Sequence, residues 1–234
     1  MLVKTHAIVL HFIKYAETSI IVSLYTEKLG RQTIIVNSVF TNKPKFPPSF
    51  FLPLTILELD MYYKAGREIQ RIKEINCNFH FQSIPFQINK SAIALFISEV
   101  LYKTIKEEEA NQKLFDFLVN AIKLLDMKEA GIQYFHISFL IQLLKYIGLY
   151  PFKPDSHELI SEEISAILPP NSNENLINGL KQICQYSLSQ LENIKINHET
   201  RTVLLENIID FLPDPTFSID KKEELFLGIK KLKN

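Results

Sequence analysis

Cations and aromatic rings gather in the first third of this chain. Residues 1–80 hold ten Lys/Arg against six Asp/Glu, a net of +4, while the whole chain sums to zero and the remainder is therefore −4. Most of these cations fall in two stretches: Arg31, Lys43 and Lys45, then Lys64, Arg67, Arg71 and Lys73. Tyr15, Phe40 and Phe46 lie among them in sequence. Lysine and arginine neutralise phosphates, and flat rings stack on bases. Together these residue types predict a nucleic-acid-binding surface in the first part of the chain. The alternative is an ordinary solvated face, with Phe40 and Phe46 packed as plugs beneath a sheet.

Catalytic constellations do not accompany these residues. The chain contains no GxSxG, GxxxxGK[ST], GxGxxG or HExxH. Six glycines leave no phosphate-cradling loop. The six histidines (His6, His11, His80, His136, His157, His198) are scattered at spacings that suit no local metal site. Cys77 and Cys184 form no CxxC pair, which excludes a four-thiolate zinc site. One long-range disulfide is open to them, as is a reduced state in which both are small hydrophobes. No cofactor, no metal and no enzymatic activity are expected. The N-terminus alternates apolar and polar residues and lacks a small-residue cleavage site, unlike a signal peptide. No run approaches the roughly 20 apolar residues of a membrane span. The expected location is the cytoplasm, with association to the nucleoid.

The elements that must position the cations begin with three strand-like runs, Ala7–Ile13, Ser19–Tyr25 and Gln32–Val36. The breaks between them are short enough only for neighbouring antiparallel strands. Gly30 can supply the positive φ of the second turn. Residues 37–48 hold three prolines and no apolar period, so they form a long loop that carries Lys43 and Lys45. Residues 51–62 resume alternation, residues 63–68 turn, and residues 69–77 make a fifth strand. There Ile69, Ile72 and Ile75 are spaced by three, which predicts a bulge or a helical start. Five short antiparallel strands in this length suit a small closed barrel, of the oligonucleotide-binding (OB) kind or the SH3 kind.

Composition switches near residue 83, and the rest of the chain has helical period. Helices are expected over 91–105, 112–125, 132–147, 174–192, 199–212 and 220–232, with a weak piece near 159–168. Residues 132–147 are apolar nearly all round and mark the centre of the helical part. His136 inside them reads as a core histidine. Gly148 stands at a C-cap position, and Pro151 and Pro154 prevent continuation. Asp220 with Glu223 resembles a capping box, and Lys230, Lys231 and Lys233 suit a helix C-terminus. The expected fold class is α+β: a five-stranded antiparallel OB barrel over residues 1–82, then an all-helical domain over 83–234.

Two stretches together resemble one family. The first is Thr5–Arg31, with Tyr15-x-Glu17-Thr18-Ser19, Tyr25-Thr26 and Gly30-Arg31. The second is Leu52-Pro53-Leu54-Thr55-x-Leu57-Glu58-Leu59 with Ile69–Glu74, then Ser83-Ile84-Pro85-Phe86 and Ser91–Tyr102. Their order and spacing resemble the recombination mediator family RecO over residues 1–150. The resemblance implies an N-terminal OB barrel, a helical second domain and no catalytic centre. It implies binding to single- and double-stranded DNA and annealing of complementary strands. It also implies action with RecR and the C-terminal tail of the single-strand binding protein SSB, so that RecA is loaded onto coated single strands.

Two departures stand against the family pattern. Many relatives hold zinc with four cysteines after the central helix, whereas Tyr150–Pro170 here has none. Many also carry a basic Lys-Gly-x-Arg run after the third strand, where this chain has Asn37-Ser38-Val39-Phe40. The basic patch is therefore expected to be weaker or shifted. Competing readings are a protein-interaction adaptor whose barrel is purely structural, and a hydrolase of unfamiliar design.

Overall fold

The computed structural model describes residues 1–151 and 161–212. Strands β1 (Leu2–Lys14), β2 (Ile20–Thr26), β3 (Gly30–Val36), β4 (Ile56–Tyr62) and β5 (Ile69–Asn76) form a closed barrel in the order β1-β2-β3-β5-β4. That is the OB arrangement. Four junctions are antiparallel, while β3 and β5 close the barrel in parallel through Thr33–Ile69, Ile34–Gln70 and Ile35–Arg71. The long 37–55 connection and β4 intervene between those two strands, so both can run the same way.

Alternation explains the barrel core. Val3, Ala7 and Val9 of β1 point inward with Val22 and Leu24 of β2, Ile34 and Val36 of β3, Leu57, Leu59 and Met61 of β4, and Ile75 of β5. The predicted fourth run, 51–62, starts late. Pro48–Phe51 is a 3-10 turn, and the strand begins at Ile56. Phe46 and Phe51 from this connection join the core, each contributing on the order of 1.5–3 kcal/mol by burial. The irregularity expected in the fifth strand is a bulge. Asp60 pairs with Glu74 and Met61 with Ile72, which leaves Lys73 as the extra residue.

The helices are α1 (Ile88–Thr104), α2 (Gln112–Met127), α3 (Phe135–Tyr146), α4 (Ser161–Ile167), α5 (Glu174–Gln185) and α6 (His198–Asp210). The helix expected over 220–232, with Asp220, Glu223 and its terminal lysines, lies outside the described residues. Two compact units emerge: Met1–Phe86 with Ala94–Ile122, and Gln87–Ile93 with the described residues from Lys123 on.

In the second unit α3 is buried over nine of its twelve residues, in keeping with its unbroken apolar sequence. His136 is fully enclosed there. Burial, aided by the Arg201 charge, pushes its pKa down to about 3, so it is neutral at ordinary pH. Gly148 ends the helix in the left-handed region, and the Leu149 N–H reaches the Leu144 carbonyl at 2.9 Å. Asn173 and Asn197 cap α5 and α6 by accepting from the N–H groups of Leu176 and Thr200. Lys90 is also buried, and its ammonium donates to the Asp126 carbonyl at 2.8 Å and lies 3.3 Å from a Glu129 carboxylate oxygen. Cys77 and Cys184 are free thiols. No helix among the described residues is long and apolar enough to cross a membrane.

Candidate nucleic-acid interface

The outer face of β1–β3 presents three cross-strand rows. Ile8, Tyr25 and Arg31 make the first, His11, Ser23, Thr33 and Ile69 the second, and Ile13, Ile21, Ile35 and Arg71 the third. A bulge between Val9 and His11 resets β1 so that the odd-numbered residues beyond it face outward.

Residues from α1, α2 and the loop between them cover the first two rows. Ser98 of α1 donates its hydroxyl to the Leu10 carbonyl, and Tyr102 stacks on His11 with ring centroids 4.6 Å apart. Tyr25 meets Phe115, and burial, with the Glu107 charge nearby, pushes its phenol up to about 12. Arg31 is absorbed by the same packing. Its guanidinium donates to the carbonyls of Tyr102 and Ile105 at 2.6 and 2.7 Å and lies 4.6 Å from the Tyr102 ring centroid. Those carbonyls belong to the C-terminal end of α1, which lacks intrahelical donors and favours a cation. Arg31, a candidate phosphate ligand by sequence, serves in this structure as a helix-end clamp through one guanidinium nitrogen. Gly30 beside it has φ +59°, and a Cβ there would run into the backbone carbonyls of Glu109 and Glu107. Only glycine lets the two segments approach this closely.

The remaining cationic candidates are exposed. Arg71 and Lys73 project from β5 into solvent. Lys45 crosses from the long loop and donates to the Lys73 carbonyl at 2.9 Å, with Glu74 at 3.6 Å as a partial counter-charge. Lys43 is exposed on the same loop, and Lys64 and Arg67 are exposed on the β4–β5 turn. Gln70 organises that turn by bonding the backbone of Lys64 and Arg67. A cleft of about 280 Å³ lies beside it, lined by the cations Arg31, Arg67 and Lys106 and by the carboxylates of Glu68 and Glu108.

The three candidate rings divide. Tyr15 is 63% exposed and Phe40 45% exposed, whereas Phe46 is 7% exposed. Phe46 is a barrel plug and not a base-stacking ring, and Lys45 lies over it at 4.8 Å from the ring centroid. Tyr15 and Phe40 flank one turn: the Tyr15 N–H reaches the Ser19 carbonyl, while Val39 and Phe40 both reach the Thr18 carbonyl. Of the candidate cations, Lys45 reaches the Lys73 carbonyl, and Arg71 ends the cross-strand row that begins at Ile13, two residues before Tyr15. The sequence pattern did not single out Ile13, Ile21 and Ile35. Their outward alternation was legible, but their alignment depends on register and on the bulge.

Among the described residues no group of three His, Cys, Asp or Glu is placed to hold a metal ion. Residues 1–79 match the family described as Recombination protein O N terminal, and residues 85–152 match Recombination protein O C terminal. The DNA repair protein RecO of Flavobacterium psychrophilum is 32% identical over 217 residues, which is 90% of this chain and 91% of that one. Its counterpart in Flavobacterium johnsoniae is 34% identical over 221 residues, again 90% of this chain and 91% of that one. The RecO protein of Bacteroides fragilis is 41% identical over 157 residues, 67% of this chain, so the matched region spans 65% of that relative's length. An OB barrel with an exposed cationic strand, followed by helices and matched by relatives along almost its whole length, has one reading: the chain belongs to the recombination protein O (RecO) family.

Proposed function

We propose that this protein is a non-enzymatic mediator of recombinational DNA repair. In this reading the barrel, residues 1–82, binds single- and double-stranded DNA and holds complementary strands while they anneal. The helical region, residues 83–234, meets RecR and the C-terminal tail of SSB, and the assembly helps RecA onto coated single strands. The observation that carries the DNA-binding part is the run of exposed cations, Lys43, Lys45, Lys64, Arg67, Arg71 and Lys73, along β5, its turn and the long loop. Such cations neutralise phosphates and release counterions, which gives affinity without sequence preference. Annealing follows when two strands lose their mutual repulsion and their bases stay free to pair.

The test is fluorescence anisotropy with a labelled single-stranded oligonucleotide across a salt series. A variant with Lys43, Lys45, Arg67 and Arg71 changed to Ala runs beside the wild type. The expected result is binding that weakens linearly with log salt, with a slope in the variant shallower by about 0.7 for each phosphate no longer neutralised. An unchanged slope moves the DNA site off the barrel. Absence of binding by wild type at low salt overturns the reading and leaves a protein-interaction adaptor.

A further inference from the structure

The cleft beside the β4–β5 turn gathers cations from three separate segments of the first unit. Arg31 comes from β3, Arg67 from the turn and Lys106 from the α1–α2 connection, and the carboxylates of Glu68 and Glu108 share the walls. Backbone bonds fix those walls. The Arg31 N–H donates to the Glu107 carbonyl at 2.9 Å, which pins the connection between Lys106 and Glu108. Gln70 ties the turn through the backbone of Lys64 and Arg67. Arg31 is half-buried, and its clamp on the α1 carbonyls uses Nη1 alone. Its Nε and Nη2 have no hydrogen-bond partner among the described residues. Those two nitrogens make one planar fork of parallel N–H donors, on a side chain already held in place.

We propose that this cleft binds a small phosphate monoester bearing hydroxyl or amino donors, of the nucleoside monophosphate or sugar phosphate kind. The Arg31 fork matches two phosphate oxygens, and a guanidinium held beforehand loses little freedom on binding. Arg67 and Lys106 supply further charge for a group that carries about −1.5 to −2 at pH 7. Glu68 and Glu108 accept from the hydroxyl or amino donors of the rest of the molecule. The same carboxylates disfavour a polynucleotide here. A strand brings further phosphates beside the first, and like charges set against each other are costly. Volume sets the size, since about 280 Å³ stands at the lower end of small-molecule pockets. The site goes beyond the DNA-binding reading and does not rest on it, because only Arg67 is common to both.

The experiment is titration calorimetry of the full-length protein at low salt with adenosine monophosphate, ribose phosphate, adenosine and inorganic phosphate. At least one of the two monoesters should bind one-to-one, about fivefold or more tighter than inorganic phosphate, while adenosine gives no signal. Arg31→Lys keeps a cation at the helix end and removes the fork, so monoester affinity should fall about tenfold or more. Lys106→Ala removes an exposed ammonium outside the DNA-binding set and should cost about fivefold. A thermal melt checks both folds, and Lys106→Ala carries the location test alone if Arg31→Lys does not fold. In a Glu68→Gln/Glu108→Gln variant the monoester should lose its advantage and come within about twofold of inorganic phosphate. No binding of either monoester at about millimolar concentration overturns the site. Monoester binding that Lys106→Ala leaves unchanged overturns its location. Adenosine binding as tightly as its monophosphate overturns it too, because no phosphate is then being read. An advantage over inorganic phosphate that survives loss of both carboxylates overturns the ligand class.

Discussion

Arg31 and Arg71 lie on neighbouring strands of one barrel, both facing outward, and they do different things. Arg31 sits in the row where the helices of its unit pack, and it clamps the end of α1 through two carbonyls. Arg71 closes the row that the helices leave open, and it stays in solvent. The covered part of the sheet is built for stability: Ile8 and Tyr25 are fully buried, and ring stacks replace water. The open part keeps partly exposed isoleucines, a free tyrosine ring and uncommitted charge. A cation's role is therefore set by what lies over its strand, not by its place in the basic stretch.

The contrast is sharpest in stability. Tyr25→Ala should cost about 3–5 kcal/mol, because it empties a buried aromatic site beneath Phe115. Ile13→Ala in the open row should change stability by no more than about 0.5 kcal/mol. Urea melts of the two variants decide the matter, and equal losses would show that the halves do not differ.

Arg31→Ala comes next, at about 2–3 kcal/mol, since two helix-end carbonyls lose a charged donor. The folded variant should bind DNA with an unchanged salt slope. A slope shallower by about 0.7 with stability intact would return Arg31 to the phosphate-binding set and erase the distinction.

The smallest effect comes from a region belonging to neither half and serves as a reference for both. The His136 pKa is about 3 in the fold, below its ordinary 6.5. Between those values the unfolded chain binds a proton that the folded chain refuses. The contribution is therefore complete above pH 6.5 and declines as pH falls toward 3, by up to about 1.4 kcal/mol per pH unit. Near pH 5 the loss is about 2 kcal/mol. A His136→Leu variant should lack this slope between pH 6.5 and 5, before the carboxylates titrate. If its slope matches that of wild type, the histidine is not the group responsible.

Much of the fold was legible in the residues. The alternation in Ala7–Ile13, Ser19–Tyr25 and Gln32–Val36 yields strands because a period of two places every second side chain on the barrel core. Gly148 ends α3, and the apolar 132–147 run is buried, for equally local reasons. The exposed cations Lys43, Lys64, Arg67, Arg71 and Lys73 stand where their surroundings in sequence suggested. Arg31 and Phe46 do not, because each is consumed by a partner distant in the chain: Arg31 by carbonyls more than seventy residues on, and Phe46 by the closed barrel core.

Local pattern thus determined the element types, the barrel-then-helix order and the basic character of the first part, since periodicity, turn chemistry and charge act over a few residues. Tertiary structure alone decided the parallel β3–β5 closure, the bulges that reset β1 and β5, and which row of the outer face stays open. Those features depend on register between strands and on which surface a helix covers, and both are settled by packing between residues far apart in the chain.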